Sequence, residues 1–219
     1  MTYDILATGS SGNAVIINGE ILIDIGVPYK TLEQSGYIKA LKLVLLTHEH
    51  GDHFNPSTVR RLHQERPRLR FGCCEWMVGP LLEAGVNKLM IDVYRFEHTY
   101  RYGEFHRYGK FQVSSEPTPH DVQNCCYHIN AYGDLLFYAT DTSTLDGIEA
   151  KDYDLYLIEA NHTRAEIEAR IAEKQARGEF SYEARAVRNH LSREQAEEWL
   201  ARNAGPNSRY VFLHQHKET

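Results

Sequence analysis

The segment Thr47-His48-Glu49-His50-Gly51-Asp52-His53 packs three histidines and two acids into seven positions, directly after the apolar run Leu41-Lys42-Leu43-Val44-Leu45-Leu46. That run reads as a buried strand, leucine-rich, β-branched at Val44 and too short for a confident helix. The polar cluster therefore falls where a strand ends and the chain turns. Imidazole nitrogen and carboxylate oxygen are the donors that zinc and similar cations take. On a backbone free to curl, they can face one point from several directions. Burying so many polar groups at a strand end is costly unless something binds them.

Three further strand ends carry the same residue types. His120 in Pro119-His120-Asp121 follows the strand-like Phe111-Gln112-Val113 and a proline-punctuated turn, and Asp141 follows Leu135-Leu136-Phe137-Tyr138. His214 closes Tyr210-Val211-Phe212-Leu213. Delivering chemistry to one edge of a sheet through loops at strand ends is how α/β folds build sites.

The series His48-x-His50-x-Asp52-His53, then His120, Asp141 and His214, resembles the metallo-β-lactamase-fold metal-dependent hydrolases. Thr8-Gly9-Ser10-Ser11-Gly12-Asn13-Ala14 and Leu22-Ile23-Asp24-Ile25-Gly26 are similar to the opening hairpin of the YycJ-like members. Asn161-His162 after Ile158-Glu159, and Asn189-His190-Leu191-Ser192, also resemble that group and the ribonuclease Z plan. The fold implied is α/β, a four-layer αββα sandwich of two mixed sheets face to face with helices outside.

The resemblance also implies a centre of two divalent metal ions. His48, His50 and His120 would hold the first, Asp52, His53 and His214 the second, and Asp141 would bridge them. Zinc suits this nitrogen and oxygen set, and manganese or iron accepts the same donors. Two cations about 3.5–4 Å apart lower the pKa of a shared water and clamp both oxygens of a displacement. A metal-bridging hydroxide is then the nucleophile, with Asp52 and Asp141 as the catalytic carboxylates. His190, by similarity to ribonuclease Z, would protonate the leaving oxygen or hold a substrate phosphate; by its residues alone it is a surface histidine ahead of Ser192, a helix N-cap.

Other polar residues carry two readings each. Asp24 is a turn residue before Gly26, or the acceptor that fixes the tautomer of a ligand imidazole. Gly9 to Asn13 is a tight turn, or one that lines the site. His162 could act as His190 would, or is structural or peripheral.

The chain of 219 residues is long enough for a substantial core, and no linker or repeat divides it, so residues 1–219 are expected to form a single domain. No basic, apolar leader is recognisable and no apolar stretch approaches spanning length, so a cytoplasmic protein is expected, with no membrane partner. The cysteines come as adjacent pairs, Cys73-Cys74 and Cys125-Cys126. Neighbours on a strand point to opposite faces, so each pair is a poor disulfide, and reduced packing thiols are expected.

Patterning gives an opening hairpin, helices over Pro56–Gln64 and Glu75–Ala84, and strands over Arg70–Cys73, Leu89–Val93 and the Tyr94–Phe111 region. The second half alternates strands (Cys126–Ala131, Asp134–Tyr138, Leu155–Glu159) with helices (Thr163–Arg177, Ser192–Asn203), and Gly205-Pro206-Asn207 turns the chain into the last strand.

Net charge is −6, so a polyanion would need a local basic patch. Arg60-Arg61 through Arg66, Arg68 and Arg70 is arginine-dense, and Tyr94-Arg95-Phe96 through Tyr100-Arg101-Tyr102 to Arg107-Tyr108 interleaves aromatic and basic residues. The latter is an amphipathic hairpin, or a surface on which bases stack. A bridging Asp141 is similar to phosphodiesterases and unlike β-lactamases, and the chain ends too soon after His214 for a glyoxalase II substrate domain. The resemblance therefore implies a dinuclear phosphodiesterase or nuclease acting on nucleic acid or another phosphodiester. The alternatives are a hydrolase of small esters, thioesters or lactones on the same centre, and a metal-stabilised binding scaffold. The end Leu213-His214-Gln215-His216 departs from the longer tail usual in the YycJ-like group.

Overall fold

A computed structural model describes residues 1–95, 106–178 and 187–214. The first half of the chain forms β1 (Tyr3–Ala7), β2 (Ala14–Ile17), β3 (Ile21–Ile23), β4 (Leu43–Leu46), β5 (Arg70–Cys74) and β6 (Ile91–Tyr94), neighbours in that order in one sheet. β1 to β3 pair antiparallel, and β3 to β6 run parallel. The second sheet holds β7 (His106–Tyr108), β8 (Phe111–Thr118), β9 (Asn124–Ala131), β10 (Asp134–Ala139), β11 (Leu155–Glu159) and β12 (Arg209–Leu213). Its first four strands pair antiparallel and its last three parallel.

Alternating side chains assign each strand face to a layer. Val15, Ile17, Ile23 and Leu45 of the first sheet meet Val113, Tyr127, Leu136 and Leu157 of the second in a central core. On the outer face of the first sheet, Ile16, Leu22, Val44 and Phe71 pack with Leu32, Val59, Leu62 and Leu81. These come from α1 (Tyr29–Ser35), α2 (Pro56–Glu65) and α3 (Val78–Glu83). Outside the second sheet, Phe137, Tyr156 and Ile158 pack against Ala196, Trp199 and Leu200 of α5 (Arg193–Asn203). The architecture is the expected αββα sandwich. The cysteines follow the same alternation: Cys73 faces the outer helices, Cys74 and Cys125 the central core, and Cys126 the α5 layer. All four are free and buried.

Local chemistry sets the helix starts. Asn55 caps α2 through its side chain, with Pro56 at the first helical position. Thr163 with Glu166, and Ser192 with Gln195, form capping boxes on α4 (Arg164–Ala176) and α5. α4 buries only Ile167, and its Glu166, Glu168, Arg170, Glu173 and Lys174 leave it a largely charged surface. The stretch expected as one helix over Glu75–Ala84 divides into a 3-10 turn, Glu75–Met77, and then α3. The strand expected from Leu89 begins only at Ile91, because Asn87 caps a 3-10 turn at Lys88–Met90. α1 was not legible: it offers the core only Tyr29 and Leu32 and has no side-chain cap.

β8 and β10 both run antiparallel to β9 and so point the same way, together with β11 and β12. The turns leaving β8, β10, β11 and β12 therefore leave from one edge of the second sheet. In the first sheet, the turns after β3 and β4 carry Asp24 and His48.

Candidate metal centre

The loop after β4 is held from several sides. The Trp76 indole donates to the Thr47 carbonyl at 3.1 Å, and the Tyr127 hydroxyl to the Leu46 carbonyl. Its far side packs on Gly26, where a Cβ would run into the Asp52 carbonyl. The same carbonyl accepts from the Asn13 amide N–H at 2.7 Å, and the Gly26 N–H donates to the Asn13 carbonyl at 2.9 Å. Only glycine allows this approach of three backbone segments. The Gly9–Asn13 turn thus lines the site: Asn13 Nδ2 meets His53 Nε2 at 2.7 Å.

His48, His50, His120 and Asp141 form one group whose ligand atoms all lie within 4.8 Å of one another. Asp52, His53, Asp141 and His214 form a second group of the same tightness. Asp141 belongs to both. Its Oδ2 is 3.4 Å from His48 Nε2 and 2.9 Å from His53 Nε2, while Oδ1 is 3.4 Å from His214 Nδ1. The fold therefore brings together every residue singled out as a ligand, in the two sets expected. Asp24, Asp141 and His214 all have left-handed backbones, with φ of 59°, 52° and 52°. This region is unfavourable for residues with a side chain, and such strain gathers at functional sites.

Second contacts orient the imidazoles. Asp24 accepts from His53 Nδ1 at 2.8 Å and from Thr47 N–H at 2.9 Å, and the Thr47 hydroxyl stands 2.9 Å from His48 Nδ1. Of its two readings, the tautomer-fixing one describes Asp24. His120 Nδ1 donates to the Asn189 carbonyl at 3.1 Å. In each case the other nitrogen is left for the site interior.

Two observations bear on whether a cation fits here. His48 Nε2 and His214 Nε2 are buried and have no hydrogen-bond partner, an arrangement that is costly in a protein interior unless something else meets the nitrogen. The donor set is nitrogen and oxygen throughout, without a thiolate. The residues present therefore fit divalent cations, with one buried, unpartnered imidazole nitrogen in each group.

Glu159, the last residue of β11, was quoted in the sequence motifs without a role. It is fully buried and accepts from His190 Nδ1 at 2.6 Å, from His214 Nδ1 at 3.1 Å, and from the backbone N–H groups of Thr142 and Leu191 at 3.0 and 3.2 Å. Asp141, Glu159, His190 and His214 make a third close group. His190 is thus inside the cluster, its ring stacked on that of His214 at 5.1 Å. A strand-terminal glutamate gives no local signal of this; only the pairing of β10, β11 and β12 does. His162 lies outside all three groups.

Charge follows geometry. Burial would raise the Asp141 carboxyl, but His53, His48 and His214 outweigh it and hold the group well below the usual carboxylate range. Burial disfavours a charged His214, yet Asp52, Glu159 and Asp141 lift it to about 10. His190 is also raised, against burial, by Glu159. Burial pushes His48 and His120 down, towards the neutral form that metal binding requires.

The arginine-dense stretch offers little to a substrate. Arg66 bonds the Ile38 and Leu41 carbonyls, Arg70 pairs with Asp92, Arg61 covers the Tyr29 ring, and Arg60 reaches the Ala84 carbonyl. The aromatic and basic segment lies largely outside the described residues, as do Gln215 and His216. Its described end, Tyr108, lines a cleft of about 540 Å³ with Lys42, Arg70, Lys110, Phe111 and Tyr132. Lys42, Arg70 and Phe111 sit at the starts of β4, β5 and β8, the opposite edge from the histidines. No described helix is long and apolar enough to cross a membrane.

The fold has counterparts among solved structures. The metallo-β-lactamase-fold protein YhfI from Bacillus subtilis superposes with a TM-score of 0.71 at 16% identity, over 99% of this chain and 87% of that one. Human tRNase Z, short form (ELAC1), gives 0.69 at 14% identity, over 98% and 92%. A diphosphatase from the PhnP family gives 0.67 at 16% identity, over 97% and 85%. Among curated proteins no sequence matches. The family model described as "Beta-lactamase superfamily domain" matches residues 26–215. The chain belongs to that superfamily and has the metallo-β-lactamase fold.

Proposed function

We propose that the protein is a phosphodiesterase with two divalent metals, acting on nucleic acid. The observation that carries this reading is Asp141, whose carboxylate faces His48 of one ligand group and His53 and His214 of the other. His48, His50 and His120 would hold the first metal, Asp52, His53 and His214 the second, with Asp141 shared. Zinc fits the donors, as do manganese and iron. When bound, the metals supply positive charge against a phosphoryl oxygen and lower the pKa of water towards neutrality.

The chain's own residues supply the rest. Asp24, Thr47 and the Asn189 carbonyl fix imidazole tautomers, so that lone pairs face inwards without rearrangement. His190 is one-fifth exposed and held by Glu159, whose carboxylate raises its pKa and so favours the protonated ring. From there it donates its Nε2 proton to the departing oxygen, the role of a general acid. That a tRNase Z and a diphosphatase share the fold supports phosphorus–oxygen bond hydrolysis. Buried free thiols are in keeping with a cytoplasmic setting, and residues 1–219 are read as one domain.

A second reading has its own support. Arg60, Arg61, Arg66 and Arg70 are engaged within the fold, which suits a small ester, thioester or lactone substrate better than a polyanion. End-labelled single- and double-stranded DNA and RNA, incubated with metal-reconstituted protein and with Asp52→Ala, separate the two. Metal-dependent degradation that the variant lacks supports the nuclease. Intact polymers with two metals bound would move the assignment to the small-molecule hydrolase.

A further inference from the structure

Asp121 follows His120 on the turn leaving β8 and is absent from the ligand groups described above. Its Oδ1 is 3.1 Å from His120 Nε2 and 3.4 Å from His50 Nε2. Because His120 Nδ1 donates to the Asn189 carbonyl, Nε2 carries the lone pair. A carboxylate oxygen and a nitrogen lone pair that converge repel one another unless positive charge lies between them. Donors sharing one ion at about 2.0–2.2 Å sit roughly 3.0–3.5 Å apart. The Asp121 to His120 separation of 3.1 Å falls in that range, as do the 3.4 Å from His120 Nε2 to His50 Nδ1 and the 3.4 Å from Asp141 to His48.

Exposure gives the side from which Asp121 approaches. The His48 and Asp141 side chains are 0% and 3% exposed, whereas those of His50 and Asp121 are 31% and 24% exposed. Asp121 therefore reaches the group from its open face.

We infer that Asp121 supplies an additional, solvent-side oxygen ligand to the first metal, an inference that rests on the two-metal reading above. The first site then offers three imidazoles and two carboxylates. Zinc is satisfied by four donors and keeps catalytic sites at three plus water. An added hard oxygen shifts preference towards manganese or iron, which accept more donors. The two positions of the centre thereby become chemically unequal, with the one beside Asp121 better suited to manganese.

Titration of the metal-stripped full chain with Mn²⁺ tests this, read by calorimetry on wild type, Asp121→Ala, Asp121→Asn and His120→Ala, each first checked for an intact fold by circular dichroism. Both Asp121 variants should weaken one of two Mn²⁺ sites by at least about tenfold, since losing even an outer partner of a ligand costs about 10–100-fold. A parallel zinc titration should show a smaller loss. Wild-type Mn²⁺ affinity in both variants would overturn the proposal. So would affinity kept in Asp121→Asn but lost in Asp121→Ala, because an amide still hydrogen-bonds His50 yet is a poor anionic ligand. Two undisturbed sites in His120→Ala would instead sink the two-metal reading itself.

Discussion

Glu159 accepts a hydrogen bond from His190 Nδ1 at 2.6 Å, and so ties the last residue of a fully buried strand to a histidine at the mouth of the metal cluster. The carboxylate also reaches His214 at 3.1 Å, so one buried acid orients a proposed proton donor and a proposed ligand. Replacing His190 by Ala should lower kcat by about 10²–10⁴-fold, the usual range for a general acid. Metal content should stay at the wild-type value, because His214 Nε2 is untouched. A rate loss accompanied by metal loss would make His190 a ligand instead.

Asp24→Asn should act on metal affinity before it acts on the fold. The amide can still accept from His53 but no longer strengthens it as a ligand, so second-metal affinity should drop by about 10–100-fold. Asp24→Ala leaves His53 and Thr47 without their buried partner, and should also lower the melting temperature of the metal-free protein. Chelator competition and thermal melts read the two effects separately.

Metal-free protein should lose stability as pH rises from about 6.5, the ordinary histidine value. His214 holds its proton to about 10 in the folded chain. Its contribution is fully present below about 6.5 and is lost as pH climbs towards that folded value. A bound metal takes the proton's place, so metal binding at pH 8 should release protons. Thermal melts with chelator across this window, and proton release in weak buffer, check the sign. A metal-free melting temperature that rises between pH 6.5 and 9 would contradict it.

Gly26→Ala should be severe for a small change. A methyl group there meets the Asp52 carbonyl, and relief requires the metal loop to move off the Gly9–Asn13 turn. A loss of about 1–3 kcal/mol is typical of such overpacking. Denaturant titration measures it, and an unchanged midpoint would show that the loop yields freely.

The candidate ligand cluster was legible because its densest part is local: His48 to His53 announce themselves on any strand end. His120, Asp141 and His214 could be found because each closes an apolar run, and the parallel strands then carry them to one edge. Glu159 and Asp121 were not recognised as site residues. Each sits beside a residue that already explained its motif, and only tertiary pairing shows that they face imidazoles. The arginines show what density alone leaves out. Sequence shows their density but not that Arg66 and Arg70 turn inwards to carbonyls and Asp92. Element boundaries differed where a 3-10 turn intervenes, before α3 at Glu75–Met77 and before β6 at Lys88–Met90.

A shared two-metal centre that hydrolyses phosphodiesters is tested by following bis(p-nitrophenyl) phosphate hydrolysis while metal is titrated into the stripped chain. The rate should plateau only at two metals per chain, with Asp141→Ala folded and inactive throughout. A plateau at one metal, or turnover by Asp141→Ala at the wild-type rate, would contradict it.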